Sequence, residues 1–167
     1  PRAEPAQQGL RRIAVKAPAE QAYVALAFRA PSLNRVDNLT DDDRDALALM
    51  VLSAVFSGYD GARLDRALTQ GDNRVADSAS SGAMVTGRGP SLFMLSGVPA
   101  AGKTAQQVED ALRAEVTRVA RDGVSEAELT RVKTQWIAST VYERDSVMNQ
   151  AQELGGNWIQ GFPLDAN

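Results

Sequence analysis

From Thr104 to its end the sequence carries helical apolar spacing and no strand pattern. Val108, Leu112, Val116 and Val119 recur at steps of three and four, and Gly123 closes that run. Any β-sheet must therefore be built from the residues ahead of Thr104. There the strand-like segments come in adjacent pairs. Residues 11–16, RRIAVK, alternate Ile13 and Val15 with Arg12 and Lys16. Residues 21–30, QAYVALAFRA, follow at once, with Val24, Leu26 and Phe28 on one side. The small-residue stretch 73–87 and the apolar stretch 91–98, SLFMLSGV, form a second pair across a turn at Gly87, Gly89 and Pro90. Adjacent strands close as hairpins, whereas a parallel sheet needs a crossover after each strand. The order ββαα-ββαα predicts an α+β fold: a two-layer sandwich of a mainly antiparallel sheet covered by helices.

Start and stop signals place the helices. Thr40 followed by Asp41, Asp42 and Asp43 opens one over 41–57, its acidic first turn set against the helix dipole, and Gly58 ends it. Gly61 and Gly71 bound a short helix. Ser125 and Glu128 form a capping box for a long one, whose stripe is Leu129, Val132, Trp136, Val141 and Met148. Tyr142, Glu143 and Arg144 make a polar, solvated interruption in that stripe, and a break is expected at Gly155–Gly156. Trp136 and Trp158 are expected in the core or against a partner domain. Residues 1–10 read as a linker and 11–167 as a single domain, truncated at its C-terminal side.

Composition removes several function classes. The 167 residues contain neither Cys nor His. That excludes disulfides, thiolate or imidazole metal ligands, a Cys nucleophile and any Ser–His–Asp triad, and leaves carboxylates, Lys, Tyr, Ser or a phosphate loop for what chemistry remains. A net charge of −3 gives no reason to expect nucleic acid or an anionic membrane as partner. No apolar run approaches a membrane span, and no targeting segment is visible. A cysteine-free chain suits the bacterial periplasm, and the cytoplasm equally.

Residues 97–104, GVPAAGKT, match the phosphate-loop pattern G-x-x-x-x-G-K-[ST]. In a nucleotide-binding protein the backbone around Gly97 and Gly102 would cradle phosphates, Lys103 would reach the outer ones, and Thr104 would hold magnesium. The surroundings disagree. Such loops follow a parallel strand, and a later strand supplies an acidic partner for the metal. Here only helix follows. The plainer reading is a strand-to-helix turn in which Gly102 permits the bend and Thr104 caps the helix.

The stretches LALMVLSAVFSGYDGARLDRALTQGDNRVADSAS and DGVSEAELTRVKTQWIASTVYERDSVMNQAQELGGNWIQG carry a family likeness. The first shows a helix, a Gly-rich turn, an (S)RL element, three residues, a Leu and a small-residue strand. The second contains the G-V-[ST]-x-x-E-L-x-x-[AV]-K pattern. Together they resemble the non-catalytic homology domain of pitrilysin/insulinase-type zinc metallopeptidases, a group that includes mitochondrial processing peptidase. The likeness runs over most of residues 4–164. It implies a chain that forms a substrate chamber and closes on a separate zinc-bearing domain, carried in the same chain or another subunit, around an extended peptide. Zinc would reside in that partner domain and none in this chain, which alone would be inactive. The likeness also implies that 97–104 is the family's ordinary turn. A third possibility is a structural interaction subunit without a proteolytic role.

The residues that the resemblance carries over are few. Arg63 and Leu64 match the (S)RL element, with Ala62 in place of Ser. An Arg and a Tyr that anchor substrate in several members correspond here to Thr69 and Ala76, so neither is kept. Arg63 is expected to hold its turn against the sheet. The edge formed by residues 74–85, rich in Ala and Ser, is expected to face the chamber, where backbone pairing of a peptide strand demands few particular side chains.

Overall fold

The computed structural model describes residues 7–87 and 89–164. Strand β1 (Val24–Arg29) is followed by helix α1 (Asp41–Ser57), one π-helical turn (Asp65–Thr69), and strands β2 (Ala76–Met84) and β3 (Leu92–Pro99). Helices α2 (Ala105–Asp122), α3 (Glu126–Glu143) and α4 (Val147–Gln160) complete the chain. The sheet order is β1-β3-β2, and both pairings are antiparallel. The α+β class with an antiparallel sheet is thus the observed one. The hairpin joins β2 to β3 in the register Ala79↔Gly97, Ser81↔Leu95 and Ala83↔Phe93.

Strand β3 takes the centre because it alone is apolar enough for both faces. Phe93 and Leu95 are buried on the helix side, with Phe56 of α1 and Val108 and Leu112 of α2, in a core that also holds Leu64, Leu68 and Ala76. The small residues of β2 let α1 lie close. Ser81 donates from its hydroxyl to the Ser53 carbonyl at 2.9 Å, and its amide donates to Ser57 Oγ at 2.9 Å. A second cluster of Leu33, Ala46 and Val85 closes the end of the sheet, and Phe162 packs against it.

Three expectations are corrected. Residues 11–16 form no strand, and Ile13 and Val15 stand 85% and 83% exposed. Strand β3 takes β1 and β2 as its two neighbours, and residues 11–16 pair with neither outer edge of the sheet. Arg12 instead pairs with Glu109 of α2. The stretch between Gly61 and Gly71 is the expected short helix, over residues 63–69, but it winds as a π turn from Asp65 to Thr69. The long helix also ends earlier than its stripe implies. Helix α3 stops at Glu143, and the Ser146 side chain caps α4 by accepting from the Asn149 amide. Gly155 and Gly156 lie inside α4, and neither has a positive φ. Of the predicted stripe only Val132 is buried, while Trp136 is 41% and Trp158 76% exposed, so neither Trp belongs to the core.

Candidate functional site

The sheet has one covered and one open face. Val24 and Leu26 of β1, Phe93 and Leu95 of β3, and Ala79 and Ala83 of β2 point at the helices. Strand alternation sends the residues between them to the other side. There Ala25 and Ala27, Met94 and Ser96, and Ser78 and Ser80 lie side by side, and the four on β1 and β2 are exposed. The hydroxyls of Ser80 and Ser96 bridge the two strands at 2.8 Å. Arg29, at the end of β1, is the one charged residue of that face among the three strands outside the bulge at Ala76–Ser78. The result is a nearly uncharged surface of small and apolar residues, to which Met84, Leu92 and Val98 also belong, beside a β2 edge that no other strand occupies among the described residues.

Arg63, Thr69 and Ala76 do not converge on this face. Arg63 opens the short helix that continues into the π turn, and its guanidinium grips Glu128 at two points: Nε to Oε1 at 2.6 Å and Nη2 to Oε2 at 2.7 Å. Nη2 also donates to the Gly123 carbonyl at 3.0 Å. It therefore ties its turn to the α2–α3 connection, not to the sheet. The Arg63 hydrogen bonds hold the Glu128 carboxyl down at about 2, against the burial that would raise it. Thr69 turns its hydroxyl back onto the Asp65 carbonyl at 3.1 Å. Ala76 is wholly buried opposite Pro99, so its side chain has no access to a ligand.

The phosphate-loop match is dismantled by the fold. Gly97 belongs to β3, between two antiparallel neighbours, and faces α2 so closely that an added Cβ would lie 2.8 Å from Val108 Cγ1. The turn is confined to the residues after Pro99. There Gly102 takes φ 76° and the Lys103 amide donates to the Ala100 carbonyl at 2.9 Å. The Thr104 hydroxyl accepts from the Gln107 amide in a capping box and so is committed to the helix start. The amides of Ala100, Lys103 and Thr104 are already bonded within the chain, to the Val75 and Ala100 carbonyls and the Gln107 side chain, which leaves fewer donors for a phosphate cradle.

One structurally central residue escaped the reading of the sequence as a site. Asp43 is buried, and its carboxylate accepts from the amides of Asn34, Arg35 and Thr40 at 2.7, 3.2 and 3.0 Å and from the Thr40 hydroxyl at 2.6 Å. The Thr40 hydroxyl, followed by the Asn34 amide, drives its carboxyl far below the usual range. The sequence signal was the capping position three residues after Thr40, but the loop amides could not be foreseen. Among the described residues no three His, Cys, Asp or Glu side chains gather in a metal-binding group.

A three-stranded antiparallel sheet with helices on one face and an ordinary strand-to-helix turn after its central strand define an α+β domain. The comparisons agree. Residues 1–136 match the family described as the peptidase M16 inactive domain, and the chain belongs to that family. Its fold is similar to that of a protease from Helicobacter pylori (TM-score 0.75, 20% identity, covering 87% of this chain and 33% of that one). It is also similar to a candidate zinc protease of Bordetella pertussis Tohama I (TM-score 0.67, 17% identity, 84% and 72% covered). A third similarity is to the inactive peptidase domain of a candidate zinc protease from Bordetella parapertussis (TM-score 0.68, 17% identity, 89% and 76% covered). This chain spans about a third of the Helicobacter chain. No curated protein matches. No helix of the described residues is long and apolar enough to cross a membrane.

Proposed function

We propose that this chain is the non-catalytic half of a bacterial zinc metallopeptidase, forming one wall of a substrate chamber that closes on the zinc-bearing domain. The observation that carries the reading is the open sheet face around Ala25, Ala27, Ser78, Ser80, Met94 and Ser96. A soluble domain with no further role would cover that face or charge it. A wall for extended peptides should be uncharged, lined by small side chains and tolerant of sequence, and this one is. The β2 edge adds backbone groups that could pair with a peptide strand irrespective of its side chains. Here the chain's own residues would hold and align substrate and exclude water, and the chemistry would belong to the partner. The cysteine-free composition is compatible with a periplasmic setting.

The test is peptidase activity of the complex with the zinc-bearing half, using an unstructured peptide. Ser80→Arg and Ser96→Arg, which put bulk and charge on the open face, are expected to lower kcat/KM at least about tenfold. Asp110→Lys, on the exposed side of α2, should leave it unchanged. Activity indifferent to both face variants would sink the chamber reading in favour of a structural subunit.

A further inference from the structure

The two outer edges of the sheet are finished differently. Ala30 donates its amide to the Ser91 carbonyl at 3.0 Å, so along β1 the even-numbered residues turn their backbone groups to β3. The amides and carbonyls of Ala25, Ala27 and Arg29 therefore point away from the sheet, and they meet no partner among the described residues. On β2 the outward backbone is partly taken. The Ser81 amide donates to Ser57 Oγ at 2.9 Å, and the Val85 carbonyl accepts from the Leu33 amide at 2.7 Å. A bare edge is a template for another extended chain, and proteins ordinarily blunt it with a charge, a Pro or a bulge on the edge strand itself. Between Val24 and Phe28 strand β1 carries none of the three.

The first half of β1 also lines a groove of about 850 Å³, together with residues 10–23 and, on α2, Ala105, Glu109 and Arg113. The charges in this groove narrow what fits it. Arg11, Arg12, Lys16 and Arg113 stand against only two carboxylates, Glu20 and Glu109. Glu109 is already shared between Arg12 and Arg113. Arg11 and Lys16 have no ion pair among the described residues, and Arg29 at the far end of β1 has none either. In a chain of net charge −3 this is a local excess of positive charge, and it favours an acidic occupant. Leu10, Ile13 and Val15 are exposed along the same groove and offer that occupant apolar contact as well.

We propose that this groove is a docking site for an acidic, extended segment of a partner protein, which adds to the outer edge of β1 through the backbone of Ala25 and Ala27 and sets its carboxylates against Arg11 and Lys16. Backbone pairing holds such a segment whatever its sequence, and the cations select its charge. Binding at this edge needs neither catalysis nor the zinc-bearing half, so it stands or falls apart from the chamber reading.

Fluorescence anisotropy of a labelled peptide with Val and Glu alternating over about eight residues, titrated with the full chain, tests this. Saturable binding is expected, weakening severalfold between about 50 and about 500 mM salt. The counterpart with Lys in place of Glu should bind at least about tenfold more weakly. Ala27→Pro is the discriminating variant. The Ala27 amide points outward, so proline removes a donor for the ligand and no bond of the sheet. Affinity should fall at least about tenfold with circular dichroism unchanged. Arg11→Glu combined with Lys16→Glu, in a segment without secondary structure, carries the same expectation should the proline variant unfold. The proposal is overturned by absence of binding at about 1 mM chain or by equal affinity for the basic peptide. Unchanged affinity in a folded Ala27→Pro or in the charge-reversed variant overturns it too. So does an oligothymidine of the same charge that binds as tightly, since charge alone would then explain the attraction.

Discussion

Arg63 and Glu128 lie sixty-five positions apart and meet as a two-point ion pair, Nε–Oε1 at 2.6 Å and Nη2–Oε2 at 2.7 Å. Both side chains are mostly covered, at 13% and 16% exposure. Glu128 also accepts from the Ser125 amide and hydroxyl, at 3.0 and 2.8 Å, as the closing member of the α3 capping box. One carboxylate thus starts α3 and fastens the π turn to it, with Arg66 adding a longer contact at 3.6 Å.

Removing one partner leaves the other charged, largely desolvated and unmatched. Arg63→Ala and Glu128→Gln are each expected to cost about 2–3 kcal/mol of unfolding free energy, below the range for fully buried pairs because some solvent reaches them. Urea denaturation measures this. In a double-mutant cycle the two changes should be strongly non-additive.

Acid should weaken the fold through the same pair. The Glu128 carboxyl is depressed to about 2 from 4.5, so the folded state releases this proton more readily than the unfolded chain. Its stabilising contribution is complete above about pH 4.5 and is lost as pH falls towards 2. Asp43, also depressed, acts in the same direction. Unfolding midpoints measured between pH 6 and 2.5 should therefore fall below about pH 4.5, and Glu128→Gln should flatten the slope.

Asp43 holds the loop ahead of α1. Asp43→Asn keeps the shape but turns one acceptor oxygen into a donor facing amide donors. The expected result is a lowered melting temperature and faster hydrogen exchange at the amides of Asn34, Arg35 and Thr40. Asp42→Asn, one residue earlier and exposed, is the control and should change neither.

The two ends of the phosphate-loop-like stretch should respond oppositely. Gly97→Ala forces a Cβ against Val108 Cγ1 and within 3.2 Å of the Ser78 carbonyl, so a destabilisation of about 1–3 kcal/mol is expected. Val108→Ala in the same chain should relieve only the side-chain part of that clash. Lys103→Ala should leave stability within about 0.5 kcal/mol, the range for surface positions away from special features. Isothermal titration with Mg-ATP should show no binding to either the wild type or the Lys103 variant, because the Lys103 and Thr104 amides and the Thr104 hydroxyl are committed to the turn and the cap.

Local chemistry made much of this protein legible. The capping residues Thr104 and Ser125 stand where the sequence puts them, since a cap involves only the next three residues. The β2–β3 hairpin is likewise a matter of neighbouring segments. The absence of His and Cys removed imidazole and thiolate metal ligands from consideration. The family likeness was also legible there, and the family match confirms it. Tertiary structure decided what depends on distant partners. Alternation in residues 11–16 states a preference for β structure, but a strand exists only where it pairs with another, and these residues pair with neither outer edge of the sheet. Periodicity in α3 and α4 marked an apolar stripe without saying that only Val132 would find cover. The Arg63–Glu128 clamp and the loop amides on Asp43 arise from contacts between segments remote in sequence or outside any pattern. Burial and long-range pairing are properties of the assembled chain, and no window of residues contains them.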